Sequence, residues 1–135
     1  MSKPSQKSWI EARALLQDAR RHYLIARGGG DPEQTPWEFP GGRLSDRESP
    51  EIALRRLLRE QLGVELTLSV GQPPFVYNYG THSVTFRYYQ CSVSRGSVQP
   101  AGYAELRWVA RGQLREYVFE SACQQVADWL VDNVQ

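Results

Sequence analysis

Charged side chains are dense between Gly42 and Gly63, and their types and spacing could do chemistry. Carboxylate oxygens bind hard divalent cations, and guanidinium groups can hold phosphate directly. The segment carries five arginines and four acids: Arg43, Arg47, Arg55, Arg56, Arg59, Asp46, Glu48, Glu51 and Glu60. Arg56 and Glu60 stand four residues apart, the spacing of an ion pair on a helix. Of two interpretations, a phosphate site built from arginines and a helix face held by ion pairs, we favour the second.

One helix must position these charges. Ser49 is a good N-cap, Pro50 suits the first helical position and Gly63 is a natural stop. Three leucines at intervals of four form one apolar face: Leu54, Leu58 and Leu62. The pattern predicts an amphipathic helix that packs on a core and leaves its charged side exposed.

The spacing around this helix resembles the Nudix box. That pattern is Gly, five residues, Glu, seven residues, then Arg-Glu-apolar-x-Glu-Glu-x-Gly-apolar. Seven positions match in register: Gly42, Glu48, Arg56, Leu58, Glu60, Gly63 and Val64. The preceding segment Trp-Glu-Phe-Pro-Gly-Gly, residues 37–42, is typical of the family, and its sequence is most similar to the MutT type. The resemblance implies a Nudix fold over nearly the whole chain.

The resemblance also implies magnesium-dependent cleavage of nucleoside diphosphate derivatives, with three helix glutamates as ligands. Here those positions are Leu57, Glu60 and Gln61, so two of the three carboxylates are missing. A further acidic ligand of the family falls at Gly102, and Glu105 lies three residues too late for it. A remaining metal site would use Glu60 and the carbonyl of Gly42 or its neighbour Gly41, and it would be weak or absent.

The site residues implied by the resemblance follow from the same register. If the chain is active, Glu48, Glu60 and Arg56 are its expected catalytic residues, with Mg2+ or Mn2+ as cofactor; otherwise no cofactor is needed. Five residues are expected to bind the substrate: Arg27, Phe39, Gly41, Gly42 and Cys123. Cys123 stands where MutT-type members use an asparagine to read a purine. Because a thiol is a weak donor and acceptor, oxidised-guanine specificity does not simply carry over.

The remaining elements are mainly strands. We expect a disordered tail over residues 1–8, a single Nudix domain over 9–135, and a hairpin joining Trp9–Leu16 to His22–Ala26. Short strands follow at residues 37–39, 64–70, 75–79, 84–93 and 106–109, with a helical turn near 113–117. Apolar residues recur at helical spacing after Phe119. The predicted fold class is α/β, a mixed sheet between the box helix and a C-terminal helix.

Composition sets the remaining limits. Sixteen Lys and Arg residues against fifteen Asp and Glu give a net charge of +1, too balanced for DNA binding by charge alone. Two cysteines without metal-ligand spacing suggest reduced thiols and a cytoplasmic protein. No apolar run is long enough for a membrane span. The expected partner is a nucleotide or a nucleoside diphosphate derivative, and aromatic-rich strands are compatible with a homodimer.

Three functions remain open. The favoured one is a Nudix domain, impaired or inactive as a hydrolase, that retains nucleotide or partner binding. The second is an active MutT-like nucleoside triphosphate pyrophosphohydrolase with a reduced metal site. The third is an oxidised-guanine or DNA-recognition module like the C-terminal domain of adenine glycosylases, a Nudix fold without the catalytic acids.

Overall fold

The predicted box helix is present in the computed structural model, which describes residues 7–133. Helix α1 spans Pro50–Leu62. The Ser49 hydroxyl accepts a hydrogen bond from the Ile52 amide at 3.3 Å, and Gly63, in a left-handed conformation, ends the helix. The caps and the leucine face predicted from sequence are confirmed, since Leu54, Leu58 and Leu62 are fully buried.

The sheet that carries the site is mixed and five-stranded. Its strands are β1 (Lys7–Leu16), β3 (Gly41–Arg43), β4 (Glu65–Gly71), β5 (Phe75–Asn78) and β6 (His82–Arg95). They lie in the order β3-β1-β6-β4, and β5 pairs with β6 beside β4. Strands β1 and β6 are parallel, and the other pairs are antiparallel. A separate antiparallel pair joins β2 (Tyr23–Arg27) to β7 (Glu105–Val109).

Three expectations about the first forty residues need correction. Lys7 and Ser8, assigned to a tail, are paired in β1 with His82 and Ser83, whereas residues 1–6 lie outside the described part of the chain. The predicted hairpin is wrong because β1 and β2 join different sheets and share only the bridge between Gln17 and Tyr23. Residues 37–39 make isolated bridges only, and the strand there begins at Gly41.

Two apolar layers cover the faces of the sheet, because neighbouring strand residues point to opposite sides. On one face Ala12, Ala14 and Leu16 pack beneath α1. On the other, Leu15 packs with Phe86 and Tyr88 beneath helix α2, Ser121–Asn133, which follows a 3-10 helix at Arg111–Glu116. The expected arrangement, a mixed sheet between the box helix and a C-terminal helix, is confirmed.

Neither of the two α-helices in residues 7–133 has the length and apolar character that a membrane span requires.

Candidate functional site

The start of β3 places the Gly41 backbone at the centre of the site. Gly41 pairs with Arg13 of β1 and has a φ of 142°. A Cβ atom there would lie 2.1 Å from the Ala12 carbonyl oxygen, so only glycine allows this approach. The Gly41 carbonyl is thereby turned toward α1, where Gln61 can reach it.

Gln61 and Tyr103 close a hydrogen-bond network around Gly41. The Gln61 side-chain amide donates to the Gly41 carbonyl at 2.9 Å. The Tyr103 hydroxyl donates to the Gln61 side-chain carbonyl at 3.2 Å and accepts from the Gly41 amide at 3.4 Å. Burial is the main cause that raises the pKa of Tyr103, so its hydroxyl stays protonated at neutral pH. The three groups satisfy one another without any charge.

Gly102, the position expected for a further acid, packs directly on Gln61. Its amide donates to the Gln61 backbone carbonyl at 2.9 Å. A Cβ at Gly102 would lie 3.1 Å from the Gln61 Cα, a close contact that leaves little room for a longer side chain. Glu105 bonds to Arg27 and Arg107 instead, at the β2–β7 pair.

Leu57 occupies the remaining family acid position with an apolar group. Its methyl carbons lie 3.7 and 3.8 Å from where a Gly42 Cβ would stand, and the side chain packs with the apolar layer beneath α1. Where the resemblance implies a carboxylate beside Gly42, this chain therefore has a hydrocarbon side chain.

Both box carboxylates that remain are bound to Arg56. Glu48 accepts from the Arg56 guanidinium at 2.6 and 2.9 Å, and from the Ser45 amide at 2.8 Å. These bonds, Arg56 first, lower the pKa of Glu48 from 4.5 to about 2. Glu60 is exposed and pairs with Arg56 at 3.3 Å. The three expected catalytic residues are therefore brought together as a closed ion-pair group.

Three of the other four box arginines are also engaged. Arg55 donates to the Leu66 carbonyl at 2.6 Å, and Arg59 pairs with Glu65 at 2.7 Å. Arg43 lies over the Trp9 ring, 4.6 Å from its centroid. The interpretation as an ion-paired helix face is thus confirmed for Arg56 with Glu60, and the arginines do not converge on one phosphate site.

Sequence reasoning missed a charged cluster next to Gly41. Arg13 donates to Glu11 at 2.6 Å, to the Phe39 carbonyl at 2.7 Å, and to Glu38. The Arg13 side chain is 13% exposed, and its Nε has no hydrogen-bond partner among the described residues. Alternation along β1 gives a signal, because Glu11 and Arg13 fall on the same face as buried Leu15.

The expected substrate-binding residues do not form one surface. Phe39 and Cys123 are fully buried in the layer beneath α2. Cys123 lies 3.6 Å from the Tyr88 hydroxyl, and burial is the main cause that raises its pKa to about 11. Gly41 and Gly42 lie in β3 beside α1, while Arg27 lies in the β2–β7 pair. Contact of these five residues with a substrate stays a prediction.

Arg27 contributes to a cleft of about 380 Å3 beside Trp37. Its guanidinium lies 4.4 Å from the Trp37 ring centroid and bonds to Glu105. The Arg107 guanidinium lies 5.5 Å from the same centroid and 5.9 Å from that of Tyr117. Two arginines beside two aromatic rings could hold an anionic ligand that carries a planar group.

The side chains at the box do not fit the divalent cation that the resemblance implies. Hard cations take several oxygen ligands, and carboxylates supply most of their binding. Here the Gly41 carbonyl already accepts the Gln61 amide, Leu57 offers no ligand, and Glu48 and Glu60 are paired with Arg56. Residues 7–133 hold no group of three or more His, Cys, Asp or Glu side chains suited to a metal.

The chain belongs to the NUDIX domain family, whose model matches residues 8–130. It is 36% identical over 53 residues to the 8-oxo-dGTP diphosphatase of Proteus vulgaris, covering 39% of this chain and 47% of that protein. It is 34% identical over 80 residues to the 8-oxo-dGTP diphosphatase of Haemophilus influenzae, 59% of each chain. The match therefore spans about half the length of these relatives. The MutT-like resemblance is confirmed.

Solved structures agree on the fold. The E. coli ORF135 protein superposes with a TM-score of 0.77 at 23% identity, over 91% of this chain and 88% of that one. The MutT protein of Methanosarcina mazei Go1 gives 0.79 at 14% identity, over 95% and 96%. At these identities the likeness establishes the Nudix architecture.

Proposed function

We propose that this chain is a Nudix domain that binds a nucleotide derivative without the magnesium-dependent hydrolysis typical of its family. The observation that carries the proposal is the hydrogen bond from the Gln61 amide to the Gly41 carbonyl. It places an N–H donor where a cation would need an oxygen, and it uses the backbone carbonyl expected to help hold that cation.

The composition of the site makes hydrolysis energetically unfavourable. Removing one well-placed acid or base from an active site commonly lowers the rate by orders of magnitude. Here two carboxylate positions are Leu57 and Gln61, and the remaining acids neutralise Arg56. A cation that entered would have to break the Gln61 bond and separate an ion pair, with few ligands gained in return.

The Arg27 cleft supports the ligand class. Its lining includes two arginines, Arg27 and Arg107, and two glutamates, Glu33 and Glu116. Glu105 pairs with both arginines, so the cleft has no excess positive charge and suits a nucleoside mono- or diphosphate derivative better than a triphosphate. Arg107 is 52% exposed, so a phosphate group can reach it in competition with Glu105. The named relatives are 8-oxo-dGTP diphosphatases, which supports a nucleotide as ligand class.

The experiment measures turnover and binding together. The chain is incubated with dGTP, 8-oxo-dGTP, ADP-ribose and diadenosine tetraphosphate, with Mg2+ or Mn2+, and products are separated by chromatography. We expect no cleavage above the blank. Calorimetry with dGMP and ADP-ribose should show binding that weakens in Arg107→Ala and not in Arg115→Ala, a similarly exposed arginine paired with Asp132.

Two results would overturn the proposal. Turnover that Glu60→Gln abolishes would show a working metal site. Absence of binding to every nucleotide tested would remove the ligand class.

A further inference from the structure

A second pocket, remote from the box, lies between β5 and α2. Its volume is about 500 Å3, within the range of small-molecule sites. Leu15 and Tyr88 form part of its lining, and both belong to the layer beneath α2. Helix α1 packs on the opposite face of the sheet, so this pocket is separate from the Gly41 network.

The opening of the pocket lies at the connection between β4 and β5. The Gln72 amide still donates to the Tyr88 carbonyl at 2.8 Å. Pro73 and Pro74 have no amide hydrogen, so the ladder to β6 is interrupted until Phe75 pairs with Phe86. On the other side of the opening, Trp129 of α2 is 41% exposed.

Aromatic and aliphatic side chains form two walls of the pocket. The Phe75 ring stacks on Phe86 and Tyr88, with centroids at 5.4 and 6.2 Å. Val126 and Trp129 supply the α2 wall. A flat ring system entering between these walls would bury apolar area and gain stacking contact.

The side chains that line the pocket also indicate the charge and the hydrogen-bonding groups of its ligand. Within residues 7–133 no Lys, Arg, Asp or Glu side chain lines the pocket, so an ionic ligand would lose hydration without gaining a partner there. Gln72 and Gln125 are at the lining, and no hydrogen bond of their side-chain amides occurs among the described residues. Each amide offers a donor and an acceptor.

We propose that this pocket binds an uncharged planar heterocycle that carries both a hydrogen-bond donor and an acceptor. The rings pack between Phe75 and Trp129, and the polar edge faces Gln72 and Gln125. This site needs neither a metal nor the Arg27 cleft, so it stands whether or not the chain hydrolyses nucleotides.

The test uses quinazolin-4(3H)-one, a neutral bicyclic lactam, as probe, and naphthalene-1-carboxylate as its anionic counterpart. In 15N-resolved NMR titrations of the full chain, the lactam should shift the side-chain signals of Trp129, Gln72 and Gln125. The carboxylate should not. Trp129→Ala should weaken the affinity about tenfold, and Gln125→Ala several-fold.

Trp108→Ala is the matched control, because Trp108 is 38% exposed and lines a different groove, with Val93 and Val98. It should leave the affinity unchanged. The proposal is overturned if the lactam shifts no Trp129 signal, if the carboxylate binds equally, or if Trp108→Ala weakens binding as much as Trp129→Ala. Trp129 shifts that depend on protein concentration without probe would assign the pocket to self-association and also overturn it.

Discussion

The two faces of the sheet beside Gly41 differ in charge: one has an uncharged network and the other has a cluster of ion pairs. On the α1 face, where the family resemblance implies carboxylates, Gln61 and Tyr103 form an uncharged hydrogen-bonded network. On the α2 face, Arg13 is bound by Glu11 and Glu38. The fold depends on the backbone conformation of its glycines and on the packing of its leucines, so it tolerates the loss of the family's carboxylates. The Nudix fold and the metal chemistry of the family therefore depend on different residues.

The largest effect is expected on the charged face. Arg13→Met should lower the free energy of unfolding by about 3 kcal/mol, because two partly buried carboxylates lose their common partner. Urea unfolding measures this. Arg115→Met, which breaks an exposed pair with Asp132, should cost about 0–1 kcal/mol. Equal losses in the two variants would show that the Arg13 cluster has no special weight.

A smaller effect is expected on the uncharged face. Tyr103→Phe removes one hydroxyl that bonds to both Gln61 and Gly41, and should cost about 1 kcal/mol in urea unfolding. Tyr77→Phe is the control, since the Tyr77 hydroxyl has no hydrogen bond within residues 7–133. A Tyr103 variant as stable as wild type would mean that the network does not hold Gly41.

The smallest effect concerns Glu48, which precedes α1 and pairs with Arg56. Its pKa is lowered to about 2 by Arg56 and Ser45. A carboxylate with a depressed pKa stabilises the fold above its unfolded pKa, near 4.5, and loses that contribution as the pH falls through about 2. Carboxyl 13C titration should find Glu48 still ionised at pH 4. A midpoint near 4.5, unchanged in Arg56→Gln, would contradict the pairing.

Much of the fold was predictable because its signals are local. Ser49, Pro50 and Gly63 mark the ends of α1, and the leucine spacing marks its buried face. The hairpin of β1 and β2 was predicted wrongly because strand pairing depends on distant partners. Strand β1 lies beside β6, more than sixty residues later, and no local pattern shows this.

The sequence predicted the positions of site residues only within the Nudix box. That register located Leu57, Gln61, Glu48 and Arg56, and the ion pairing followed from helix spacing. Tyr103 entered through a loop contact that sequence spacing does not reveal. Arg13 was overlooked because, although alternation places it beside Glu11 in β1, no local pattern shows its contact with Glu38, 25 residues later in the chain.

We propose that the α1 face binds no divalent metal ion, and electron paramagnetic resonance of free Mn2+ during titration with the wild-type chain measures this. We expect no loss of the free-ion signal for wild type. The double variant Leu57→Glu, Gln61→Glu, which frees the Gly41 carbonyl, should bind one ion. Stoichiometric binding by wild type that disappears in Glu60→Gln would contradict it.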